Sequence, residues 1–97
     1  MTTWVLEAEP SAVDILFDTH VFTVKLDDRR ALSIPLAWFP RLQHASPNER
    51  NNWRLLGNGY TVEWPDLDEH IGVEGLLAGR RSGESPQSFQ HWLSQRS

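Results

Sequence analysis

Ninety-seven residues make one domain, long enough to bury a single core without covalent staples. The chain has no cysteine, which excludes disulfides and thiolate-ligated metals and fits a reducing compartment. Its net charge of −4, without any basic run, argues against direct nucleic-acid binding, where phosphate neutralisation supplies most of the affinity.

The opening MTTWVLEAEP has neither the basic start nor the apolar run of a signal peptide. No apolar stretch nears the ~20 residues of a membrane span. A soluble, cytoplasmic chain without membrane contact is the expectation. Residues 1–11, ending at Glu9-Pro10, read as a loosely held segment. Val13, Ile15 and Phe17 alternate with Asp14 and Leu16 as a half-buried strand does. Phe22, Val24 and Leu26 mark a second strand, and Leu32, Ile34 and Leu36 a third. For these apolar sets to share one face, the loop between the last two must hold an odd number of residues. A three-residue loop, Asp27 to Arg29, pairs Val24 with Leu32 and Phe22 with Ile34.

Pro35 suits a strand end. Ala37 to His44 makes a short helix only if Pro40 falls in its first turn, and Trp38 and Leu42 would then share a face. Ser46-Pro47-Asn48-Glu49 has the N-cap serine, first-turn proline and N3 glutamate of a capping box. Asn58-Gly59 between apolar flanks specifies a two-residue type I′ hairpin. Counting outward pairs Leu55 with Val62, Arg54 with Glu63 and Trp53 with Trp64. Pro65 stops that strand, Asp66 to Glu69 form an acidic turn, and Ile71 and Val73 make another strand. Glu74 to Ala78 gives one helical turn closed by Gly79. After the linker Arg80–Glu84, Ser85-Pro86 caps a last helix with Phe89, Trp92 and Leu93 on one face.

The expected fold is therefore α+β: a small, mostly antiparallel sheet of five or six strands, two short helices between strands, and a C-terminal helix. Residues 12–79 are its core domain and 80–97 the linker with the last helix.

No arrangement of side chains reads as catalytic. The histidines, at 20, 44, 70 and 91, are scattered, no G-x-S-x-G occurs, and nothing brings Glu63 and Glu74 to a shared cleft. Asp66, Asp68, Glu69 and His70 could offer ligands to a cation, but lack the glycine turn and distal glutamate of a calcium loop. We expect no enzyme activity, no cofactor and no metal. Five tryptophans invite a ligand-stacking reading; core packing accounts for Trp53, Trp64 and Trp92, and leaves Trp4 and Trp38 unplaced. Trp38, Phe39, Arg41, Arg50, Trp53 and Arg54 have the composition of a protein–protein hot spot. On that reading Arg41→Ala or Trp38→Ala weakens partner capture and leaves melting cooperative.

The runs S-I-P-L-A-W-F-P-R-L, S-P-N-E-R-N-N-W and W-P-D-L-D-E-H-I-G-V-E-G-L-L-A-G resemble the bacterial family of unknown function DUF2442, over residues 12–79. The chain departs from that pattern at Asp28-Arg29, where the family has D-G-R, and at His70, where an acid is common. The resemblance implies a small prokaryotic α+β domain without assigned catalytic residues. It also implies a second small protein encoded beside it, in a pairing of toxin–antitoxin type. A protein-interaction module with a small partner protein is thus the expected function. The alternative is a small-molecule-binding regulatory domain with an aromatic pocket, and uncovered strand edges allow a homodimer.

Overall fold

Two antiparallel meanders, separated by a helical stretch rich in proline, face each other across a shared apolar core. The computed structural model describes residues 10–96; Trp4 and most of the segment expected to be loosely held lie outside them. Strands β1 (Ala12–Phe17), β2 (Val21–Leu26) and β3 (Ala31–Pro35) form the first sheet. Strands β4 (Arg54–Leu56), β5 (Thr61–Trp64) and β6 (Glu69–Gly72) form the second. Between them lie helices α1 (Pro40–His44) and α2 (Pro47–Asn51); α3 (Val73–Leu77) and α4 (Pro86–Ser94) follow β6. The single sheet of five or six strands expected from the sequence is corrected to two sheets of three. The helical stretch after Pro35 carries the chain off the first sheet, so the second meander packs face to face instead of adding to its edge.

The first sheet has the expected β2–β3 register, Val24 with Leu32 and Phe22 with Ile34. Its three-residue loop closes with the Leu26 N–H donating to the Arg30 carbonyl at 2.8 Å. That loop length places its third residue in the left-handed region, and Arg29 sits there at φ 75°. A side chain in that region costs about 1–2 kcal/mol, against roughly 0.5–1 kcal/mol of chain entropy that glycine loses on folding. Arg29→Gly is therefore expected to stabilise the domain by about 0.5–1 kcal/mol, read as a higher urea midpoint with an unchanged slope.

Strand β1 departs from simple alternation. A bulge between Ala12 and Asp14 makes Val13 the extra residue. Ala12 and Ile15 face the core, while Val13, expected inside, is exposed. Pro35 ends β3, so Leu36 is buried from a short 3-10 turn, Leu36–Trp38, and not from the strand. Pro40 does fall in the first turn of α1, but Trp38 precedes that helix and shares no face with Leu42. In α2 both capping-box bonds form: Glu49 N–H to Ser46 Oγ at 3.2 Å and Ser46 N–H to Glu49 Oε1 at 2.9 Å.

The β4–β5 hairpin has the predicted register, Leu55 with Val62 and Arg54 with Glu63. Asn58 and Gly59 supply the two positive φ angles, 60° and 89°, and Gly57 at 58° extends the left-handed turn by one residue. A Cβ on Gly59 would stand 2.5 Å from the Ala12 carbonyl oxygen, so this turn abuts β1 as closely as a backbone can. The Trp53–Trp64 pair does not form, because the ladder begins at Arg54 and Trp53 lies before it. Trp64 is fully buried and packs edge-on against Phe17 and Phe22 of the first sheet. Its indole N–H donates to the Arg50 carbonyl at 2.9 Å. The chain then turns through Pro65–Leu67 and a left-handed Asp68 into β6. Val73, expected in a strand, opens α3, which Gly79 closes at φ 74°. Arg80 N–H to the Gly75 carbonyl and Gly79 N–H to the Leu76 carbonyl complete a Schellman cap there.

Candidate functional site

The six residues singled out from the sequence do not gather into one surface. Phe39 is in the core, edge-on to Phe22. Arg50 holds the end of α1, donating from Nε to the Leu42 carbonyl and from Nη2 to the Gln43 carbonyl. Arg54 pairs with Glu63 across the hairpin. Trp53 is half-buried against the core, and Trp38 packs there too with the Arg81 guanidinium 4.7 Å from its ring centre. Arg41 has the most bonds: two from Nε and one from Nη2 to the Glu84 carboxylate, and two from Nη1 to the Leu67 and Asp68 carbonyls. It also lies 5.2 Å over Trp92. Arginines chosen as contact residues are thus employed inside the molecule, and Phe39 is out of reach of any partner.

What Arg41 holds is the C-terminal segment. Helix α4 is capped by Ser85, whose hydroxyl accepts from the Ser88 N–H, and lays Phe89 and Trp92 against the His44 ring of α1. Arg96 closes the far end, donating to Glu49 at 2.8 Å and lying 4.4 Å over Trp92. The hydrogen bonds from Arg41 hold the Glu84 carboxyl below the ordinary carboxylate range. The hydrogen bond from Arg96, together with the Ser46 N–H, draws Glu49 down to about 2.

The exposed apolar surface lies elsewhere. Because Leu55 points inward with Val62, parity turns Leu56 outward, level with Thr61 and Gly72 on one face of the second sheet. Tyr60, at the end of the hairpin turn, and Leu77, in the last turn of α3, stand beside that row. Leu56, Tyr60 and Leu77 are 39%, 40% and 38% exposed. A groove of about 450 Å³ runs here between Pro10, Tyr60, Thr61, Gly72, Glu74 and Leu77. Gly72 forms its floor without a side chain. The hairpin register was enough to place Leu56 outside; the approach of Leu77 from α3 had no local signal.

A second crevice, of about 230 Å³, opens on another side of β6 between Glu69, His70, Gly75 and the connection Arg80–Gly83. Burial there raises the Glu69 carboxyl above its ordinary value, partly offset by the charge of Arg41. Among the described residues no three histidine, aspartate or glutamate side chains come together to hold a metal ion. No helix among them is long and apolar enough to cross a membrane.

The architecture is shared with bacterial proteins of known structure. The chain is similar to a protein of unknown function from Rhodospirillum rubrum, with 26% identity over 79% of this chain and 95% of that one, at a TM-score of 0.68. It shares its fold with an uncharacterised protein from Chromobacterium violaceum, at 22% identity, over 84% of this chain and 75% of that one, with a TM-score of 0.65. No curated protein matches the chain. The model of the family described as protein of unknown function (DUF2442) matches residues 11–82, and the chain belongs to that family.

Proposed function

We propose that the domain is a non-enzymatic interaction module of the bacterial cytoplasm that captures one small protein, standing to it as an antitoxin stands to its toxin. The observation that carries this reading is the pair of exposed side chains Tyr60 and Leu77 on a groove also lined by Gly72, with Leu56 exposed on the neighbouring strand. Apolar side chains left exposed together in a small domain mark contact surfaces, and tyrosine is among the residues that dominate such contacts. Residues 55–79 carry five acids and no lysine or arginine, and Glu74 on the groove rim has no ion pair among the described residues. The partner's matching face is therefore apolar with a basic rim, which speeds encounter as well as fixing register.

The test is co-expression with the small protein encoded next to this one, followed by light scattering on the purified complex. Tyr60→Ala and Leu77→Arg are expected to weaken that complex by about 30-fold or more, the scale of a contact hot spot. Neither side chain belongs to the buried core, so the variants should still melt cooperatively, with only a small fall in melting temperature. Indifference of the neighbour to the parent protein, or equal capture by both variants, would remove the groove as its docking site. A dimer of this chain that Tyr60→Ala dissociates would give the groove to a second copy instead.

A further inference from the structure

The crevice beside β6 sets opposite charges facing one space without letting them touch. Glu69 enters it from the strand, and Arg80 and Arg81 enter from the connection that follows α3. Neither arginine and no oxygen of Glu69 takes part in an ion pair among the described residues. The space between them is not a packing defect that a methyl group would fill. A Cβ on Gly72, Gly75 or Gly83, which all line it, would meet nothing within 4 Å.

The arginine wall is held in place. The Arg81 guanidinium rests on the Trp38 ring, and the neighbouring Ser82 N–H donates to the Trp38 carbonyl at 3.0 Å. The Schellman bond from Arg80 N–H to Gly75 fixes where the connection leaves α3. On the opposite wall the Glu69 carboxylate is half-buried, and the charge of Arg41 and the His70 N–H offset the cost of that burial only in part. At about 230 Å³ the crevice is smaller than the roughly 300–1,000 Å³ of pockets for drug-sized ligands.

We propose that this crevice binds a small zwitterion of the α-amino acid class. Its ammonium group meets Glu69, and its carboxylate meets Arg80 and Arg81. A ligand with both charged groups on one carbon satisfies both walls at once, whereas a simple anion leaves Glu69 without a cation in the crevice and a simple amine leaves the arginines idle. Guanidinium groups suit the carboxylate end because their paired N–H donors match its two oxygens. His70, which also lines the crevice, faces the same ligand.

Calorimetric titration of the full chain with each of the twenty proteinogenic α-amino acids, up to about 10 mM, tests the proposal. At least one is expected to bind saturably. Acetylating its amine or amidating its carboxylate should each weaken binding by about tenfold or more, the scale of a lost charged hydrogen bond. Glu69→Gln and Arg80→Ala should do the same. Absence of saturable binding by all twenty would overturn the proposal. So would binding that survives both capped forms of the ligand, a result that does not depend on either variant folding. Neither outcome bears on partner capture at the Tyr60 groove.

Discussion

Trp64→Ala is expected to cost about 3–5 kcal/mol, the range for deleting a large buried aromatic ring. A domain of this length has only about 5–15 kcal/mol of stability in total, so the variant should be largely unfolded at mild denaturant concentrations. The size of the effect comes from where the ring sits. Trp64 belongs to β5 in the second sheet, yet its edge contacts are Phe17 and Phe22 in the first, with centroids 6.4 Å away in both cases. Phe22 in turn meets Phe39, from the helical connection, at 5.9 Å. Removing the indole empties the meeting point of both sheets, and it also strips the Arg50 carbonyl of its donor. Trp64→Phe separates these effects. It retains a six-membered aromatic ring and loses the N–H with the pyrrole part of the indole, for an expected penalty of about 1–2 kcal/mol plus a cavity term smaller than that of Trp64→Ala. Urea unfolding of the two variants gives the comparison. A loss below about 1 kcal/mol for Trp64→Ala would mean that the sheets are held together somewhere else.

That tryptophan shows how far local sequence signals reach. The turn chemistry of Asn58-Gly59 and parity along β4 and β5 were enough to fix the hairpin register, because both act over a few residues. The Ser46 capping box and the odd loop after β2 were legible for the same reason. Alternation failed at Val13, where one bulge residue reversed the facing of the strand's start; no residue type announces such a bulge. Counting one step beyond the ladder paired Trp53 with Trp64, although the real neighbours of Trp64 are more than forty residues away in sequence. The division into two sheets is likewise a matter of long-range packing, which periodicity does not encode. Arginine beside tryptophan reads as a contact surface, but the same composition serves for holding a helix on its own domain. The structure uses Arg41 and Arg50 in that way.

Arg41→Ala, expected from composition to disturb a partner, should instead release the protein's own C-terminal helix. The Arg41 side chain is 16% exposed and that of its carboxylate partner Glu84 8%, so the substitution leaves a partly buried charge without its counterion. Breaking a partly buried pair from one side costs less than the about 3–5 kcal/mol of a fully buried one, but more than an exposed pair is worth. Helix α4 contributes no fully buried residue to the core, so the chain can avoid that cost by letting residues 84–96 lift away. The expected result is loss of amide protection across Pro86–Ser94 at neutral pH, with protection of β2 and β5 near the parent level. Arg41→Lys should fall between the two, since a lysine retains the charge without the fork that reaches Glu84 and the Leu67 and Asp68 carbonyls together. Acid should reproduce the effect in the parent protein. Glu49 and Glu84 are both held below their ordinary values in the folded state, Glu49 from 4.5 to about 2. Their contribution is therefore complete above about pH 4.5 and is lost as the pH falls toward 2. Glu69, raised by burial, has the opposite sign and favours the folded state as it takes up its proton, which softens the fall without reversing it. Hydrogen exchange followed between pH 6 and pH 2 should thus show α4 opening before either sheet. Protection of α4 that is the same at pH 6 and pH 3 would mean that the stacking of Phe89 and Trp92 on His44 holds the helix, and the ion pairs do not.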